Sequence, residues 1–160
     1  MRKAKTRETP NARFSALLSR FSPETVALVK RCLPKLRRAF PGFTQLVYDY
    51  SNSKYLVLAF GLSEKGYEAI VALGVSPRWV RLYFQDGKLL PDPNGRLEGS
   101  GAKARSVTLK TASDLDHADI RALFKAAIKR SGATFPKTRS TRMVIKSASK
   151  KKRPKKAGRA

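Results

Sequence analysis

The chain has 160 residues, 35 Lys/Arg against 11 Asp/Glu and a formal net charge of +24, a length that holds one domain with a real core plus extensions but not two ordinary domains. Cys32 is its single cysteine and His117 its single histidine, which excludes a disulfide framework or a Cys/His zinc site within one chain. The basic start MRKAKTRETPNARF has no apolar h-region, and the longest apolar runs, such as Tyr55 to Leu62, are too short to cross a bilayer. A soluble cytoplasmic protein with no membrane partner is expected.

Residues 1–20 read as a basic N-terminal arm, in which Phe14, Leu17 and Leu18, with Phe21 just beyond, have the spacing of a short helical turn able to dock on the body. The domain proper spans 21–135. Ser22-Pro23-Glu24 supplies an N-cap, a proline at the first helical position and an acid in the first turn. Val26, Val29, Leu33, Leu36 and Phe40 then recur at helical spacing, with Pro34 expected to split or kink the helix. After Pro41-Gly42, four runs rich in β-branched and aromatic residues follow: FTQLVYDY, KYLVLAFGL, YEAIVALGV and RWVRLYF. SNS, SEKG and SP separate them as turns, so they read as an antiparallel meander. Asp86-Gly87 and Asp92-Pro93-Asn94-Gly95 mark two further turns, and Val107 and Leu109 alternate with polar residues as in a half-buried strand.

The last body element is a helix in which Ile120, Leu123, Phe124, Ala127 and Ile128 form the apolar stripe. Ser113 with Asp116 is expected to form its capping box, Asp114, Asp116 and Asp119 crowd its start, and Lys125, Lys129 and Arg130 its end, with Gly132 beyond. Helices at both ends of a run of strands predict an α+β fold: a small antiparallel sheet flanked by N-terminal and C-terminal helices. Residues 136–160 carry 11 Lys/Arg and no acid, with one apolar island at Met143 to Ile145, and read as a disordered basic tail. By segment the net charge is +5 over 1–20, +8 over 21–135 and +11 over 136–160, so two-thirds of the excess lies in the ends.

Three features carry candidate function. The first is the tail itself: Lys150, Lys151, Lys152, Arg153, Lys155 and Lys156 form a dense cationic run that releases counterions on meeting phosphates, which makes nucleic acid the expected partner. The second is an aromatic–basic face. Alternation along the strand puts Trp79, Arg81 and Tyr83 on one side and Val80, Leu82 and Phe84 on the core side. Two rings flanking an arginine suit base stacking or the wall of a small-ligand site, and equally suit covering a helix.

The third is the loop LEGSGAKARSVTLK. From Gly95 the spacing fails the Walker A pattern, since Ala102 follows Gly101 where a lysine is needed. Gly99-x-Gly101-x-x-Ala104 satisfies a relaxed dinucleotide fingerprint, but a strand rather than a helix follows it. What remains is an anion-binding concavity formed by Gly99, Gly101, Lys103 and Arg105, weighed against a plain glycine turn with solvated basic side chains.

Leu90-x-Asp92-Pro93, then Gly95-x-Leu97-Glu98-Gly99-x-Gly101, Arg105, and Ser113-Asp114-Leu115-Asp116 leading into a helix together resemble the bacterial YdhG-like domain, a family of unknown function. The resemblance covers roughly residues 22–132, most closely 90–120. A lysine and a histidine frequent in that family's loop are here Ala102 and Ser106. The resemblance implies a small α+β domain with an antiparallel sheet and, through frataxin-like relatives, an iron chaperone as an alternative function.

Iron without Cys or His ligands needs clustered carboxylates. The acids of the body, Glu24, Asp49, Glu64, Glu68, Asp86, Asp92, Glu98, Asp114, Asp116 and Asp119, are scattered except at the last helix's start, where capping explains them. Iron therefore enters by family analogy alone, and no cofactor is assigned. Cys32 lies in an apolar stretch and His117 in a helix's first turn, neither with an evident catalytic partner, so no catalytic residue is assigned. The reading is a non-enzymatic binding protein with a YdhG-like domain and a basic tail that contacts nucleic acid nonspecifically. A frataxin-like iron carrier and a small anionic-ligand domain stand as alternatives.

Overall fold

The computed structural model describes residues 9–50 and 54–147, an α+β fold with three α-helices and a six-stranded sheet. Helix α1 (Pro10–Leu18) starts where the Thr9 side chain accepts a hydrogen bond from the Ala12 N–H at 3.1 Å. Its Phe14 and Leu18 are buried in the core, and beyond its end Arg20 pairs with Asp49 at 2.8 Å. Part of the expected N-terminal arm is thus a docked helix; residues 1–8 lie outside the described residues.

Helix α2 (Pro23–Ala39) is capped by Ser22, whose hydroxyl accepts from the Thr25 N–H at 3.3 Å. Pro34 does not split it. The helix runs through the proline as one element, with Val29, Cys32, Leu33 and Leu36 buried on either side of it. Proline withholds one backbone donor, a local loss that the buried stripe outweighs.

The four apolar runs form β1 (Thr44–Tyr50), β2 (Tyr55–Gly61), β3 (Ala69–Val75) and β4 (Val80–Phe84), and the alternating segment forms β5 (Arg105–Leu109). Successive pairs are antiparallel. Helix α3 (Ala118–Ser131) follows, and then a strand that the composition hid, β6 (Arg142–Ser147), which pairs in parallel with β1. The sheet order is β5-β4-β3-β2-β1-β6, so the sheet is mixed rather than wholly antiparallel.

Strand β6 corrects the reading of 136–160 as one disordered tail. Its backbone partner is β1, and its Met143 and Ile145 pack on the core, so two apolar side chains at period two suffice where a neighbour supplies the ladder. On the way there, the Phe135 ring meets Phe43 at 5.8 Å between centroids. Gly42, at φ +76°, leaves no room for a Cβ beside the Thr138 carbonyl, so only glycine fits that crossing. The domain therefore extends through Ser147, and Lys150 to Lys156 lie outside the described residues.

The start of α3 also differs in detail. The capping box belongs to Thr111 and Asp114, around a 3-10 turn at Ala112–Asp116, rather than to Ser113 and Asp116. Burial alone would raise the Asp114 pKa. The hydrogen bonds it accepts from the Thr111 and Lys110 N–H groups outweigh that and hold it below the usual carboxylate value. Helix α3 is capped by His117, whose Nδ1 accepts from the Asp119 N–H at 3.1 Å.

Register sorts the two faces of the sheet. Ile145, Val47, Leu58, Leu73, Leu82 and Val107 lie opposite one another across all six strands. All six belong to or pack against the main core, together with the buried residues of all three helices. Phe40 sits at its centre, its ring 5.3 Å from Phe43, 6.3 Å from Phe60 and 5.3 Å from Phe124.

Candidate functional site

The opposite face carries a different row in the same register: Lys146, Tyr48, Val57, Gly74, Arg81 and Thr108. Beside it runs Val144, Leu46, Ala59, Ala72, Tyr83 and Ser106. The buried side chains of all three helices belong to the other face's core rather than to these rows; on this side Leu46 and Ala59 are buried in a small cluster with Ala69, and the turn at Gly66 lies against Tyr48 at the β1 end.

Trp79, Arg81 and Tyr83 come together here as strand alternation requires, joined by two rings that sequence reasoning passed over, Tyr55 and Tyr50. Ring centroids step from Tyr50 to Tyr55 at 5.8 Å, from Tyr55 to Trp79 at 5.7 Å and from Trp79 to Tyr83 at 6.4 Å. The rings meet tilted or edge-to-face, the arrangement that ring quadrupoles favour. The Arg81 guanidinium lies 4.1 Å from the Trp79 ring centroid, and its Nε donates to Thr108 Oγ1 at 3.3 Å. The indole and the hydroxyl together fix a planar cation in place.

Local chemistry positions each part. The turn before β4 is closed by Ser76, whose hydroxyl accepts from the Arg78 N–H at 3.2 Å and the Trp79 N–H at 3.1 Å and donates to the Trp79 carbonyl at 3.1 Å. That holds Trp79 at the mouth of the strand. Gly74 opens the floor: a Cβ there would stand 2.5 Å from the Tyr55 hydroxyl and 2.8 Å from the Tyr83 ring, so glycine lets these two rings converge. Burial, then the neighbouring Tyr83, pushes the Tyr55 phenol far above its usual pKa, keeping it a neutral hydrogen-bonding group. The signal for Gly74 and Tyr55 was present in the alternation of YLVLAFG and AIVALGV; only their pairing register was not.

Three cations lie near this platform along the chain or at the sheet edge. Lys54 and Arg78 are exposed, next in sequence to Tyr55 and Trp79, and neither is in an ion pair among the described residues. Lys146, at the sheet edge, lies 6.0 Å from the Tyr48 ring centroid and donates to the Glu64 carbonyl.

The glycine loop is placed elsewhere. Arg105 pairs with Phe84 in the ladder and so shares its face, opposite to Arg81. Its Nη1 donates to the Gly101 carbonyl at 2.6 Å and the Ala104 carbonyl at 2.8 Å, and its stem lies against Gly87 and Gly99. The arginine therefore braces the loop from within. Gly99 has φ +126°, a turn conformation glycine alone takes easily, and the Lys103 carbonyl accepts from the Lys88 N–H at 2.9 Å. Gly99, Gly101, Lys103 and Arg105 thus form a braced turn, on the other side of the sheet from Trp79, Arg81 and Tyr83.

The carboxylates at the start of α3 likewise have partners: Asp114 caps, Asp116 pairs with Lys35, and Asp119 accepts from Arg96 Nε and Asn94 Nδ2. Among the described residues no three His, Cys, Asp or Glu side chains gather as metal ligands. Cys32 is fully buried, and burial, with Asp114 nearby, pushes its thiol up to about 11, the opposite of an activated nucleophile. Compared with family models, curated proteins and solved structures, the chain matches none.

Proposed function

We propose that this chain is a non-enzymatic nucleic-acid-binding protein whose open sheet face and basic C-terminal segment act as one surface. The observation that carries the reading is where β6 ends. Ser147 stands opposite Asp49, and the next residue of β1, Tyr50, opens the row of rings. Residues 148–160, with seven Lys/Arg, continue from that point. Strand spacing puts β6 about 10 Å from β2 and about 19 Å from β4. Thirteen residues reach at most about 45 Å when extended, so the cationic run can follow a strand across the whole platform.

The division of labour follows from the chemistry. Lysines and arginines of the tail, with Lys54 and Arg78, release counterions from phosphates and give affinity without reading sequence. The rings and Arg81 offer stacking that salt does not screen. Cytoplasmic location and membership of the YdhG-like family belong to the same proposal. Among the described residues, no helix is long and apolar enough to cross a membrane.

A gel-shift series over salt concentration, comparing the full chain with one ending at Ser147, tests the reading. The full chain is expected to bind at low salt with affinity falling steeply as salt rises. Truncation should weaken it and flatten the slope by about 0.7–0.9 for each phosphate no longer neutralised. Absence of binding at low salt would contradict the proposal, and so would a truncated chain that binds equally well with the same slope.

A further inference from the structure

Resting on the nucleic-acid reading above, we infer that the open face takes unpaired bases: its ligand is a single-stranded stretch of DNA or RNA whose bases stack on Trp79 and its neighbouring rings. A duplex offers proteins its phosphates and the edges of its bases in the grooves, and is read by an element that enters a groove. The centre of this face has no such projection, because Ala59, Ala72 and Gly74 floor it. What it presents is π-surface, from Tyr50, Tyr55, Trp79 and Tyr83, and a guanidinium already held beside the indole. Both kinds of surface stack on the flat sides of bases, which are available only when the strand is unpaired.

The charge pattern agrees. Among the described residues Arg81 is the charged side chain within the ring cluster, and it is bound to Thr108, while exposed Lys54 and Arg78 adjoin Tyr55 and Trp79 in the chain and Lys146 lies at the β6 edge. A strand lying with its bases inward and its phosphates outward meets rings first and cations at the border. From β1 to β4 the rings span three strand spacings, about 14 Å, the width over which a four-stranded sheet can stack two or three bases.

Trp79 is the sole tryptophan, so its fluorescence reports directly on the platform in the unaltered full chain. The chain is titrated at low salt with an oligothymidylate, an abasic strand of the same length, and a duplex of equal length. The expected result is saturable quenching of Trp79 by the oligothymidylate, little by the abasic strand, and weaker binding of the duplex. Trp79→Ala should weaken oligothymidylate binding roughly 5- to 150-fold, the loss of one stacked base, and leave the abasic strand's affinity unchanged. Should Trp79→Ala fail to fold, Tyr83→Ala and the quenching of the unaltered chain carry the test. Equal binding of base-bearing and abasic strands with unchanged fluorescence overturns the stacking inference while sparing nucleic-acid binding, as does tighter binding of the duplex. If none of the three binds, both readings fall.

Discussion

The two faces of the sheet are made by the same strands, one residue to each side in turn, yet they are filled by different chemistry. Under the helices lie mainly Leu, Val, Ile and Phe, with two exceptions: Cys32, and the fully buried Gln45, whose Oε1 accepts from Arg37 at 3.1 Å while its Nε2 has no partner among the described residues. On the other side the larger side chains are Tyr, Trp, Arg and Lys, which bury an apolar body and keep a polar tip for water or a ligand. A face awaiting a further helix would need the first kind of filling. The second kind suits a surface that meets water and polar polymers in turn.

Four perturbations sharpen this contrast. The largest effect belongs to the covered face: Phe40→Ala removes a fully buried ring that touches three others, and should cost about 3–5 kcal/mol in denaturant unfolding. Gly74→Val on the open face drives Tyr55 and Tyr83 apart and is expected to cost about 1–3 kcal/mol, with a shift in Trp79 emission that Phe40→Ala in its folded state does not show. Arg81→Ala removes one half-buried cation–π interaction, about 0.5–2 kcal/mol of stability, so it should spare the fold and show instead in oligonucleotide affinity.

The last effect, absent at neutral pH, is a pH dependence on the covered face. The Cys32 thiol ionises near 9 when unfolded and about 11 when buried, so the folded state holds its proton more firmly. Stability from this group is complete below about 9 and is lost as the pH rises toward about 11. The alkaline fall in melting temperature should therefore be shallower in Cys32→Ala than in the unaltered chain, and equal slopes would contradict the burial of that thiol.

Much of the covered face was legible in the sequence because its signals are local. Ser22-Pro23 starts α2, four apolar runs separated by turn residues give β1 to β4, and the 120–128 stripe gives α3. Where the sequence misled, the deciding interaction was distant. Pro34 stays helical because the residues flanking it are buried; His117 rather than Ser113 caps α3, because Thr111 and Asp114 already close the preceding turn. Strand β6 was masked by its basic neighbours, and only β1, about a hundred residues earlier, makes it a strand.

The open face was half legible for the same reason. Alternation placed Trp79, Arg81 and Tyr83 on one side, but nothing local says that Gly74, Tyr55 and Tyr50 complete their surface across the ladder. The glycine loop was legible as two alternatives, an anion site or a plain turn; what the sequence did not show is that Arg105 Nη1 donates to the loop's own Gly101 and Ala104 carbonyls.

The helix side also has a basic surface, a notch of about 320 Å³ where Lys35, Arg38 and Arg121 surround Asp116, and it is the natural competitor for a polyanion. Photocrosslinking of the full chain to an oligonucleotide carrying 4-thiouridine, with the linked peptides mapped by mass spectrometry, decides between the two faces. Adducts are expected on peptides containing Trp79, Tyr83 or Tyr55 and on the segment after Ser147. Adducts confined to the peptides of Lys35, Arg38 and Arg121 would contradict binding on the open face.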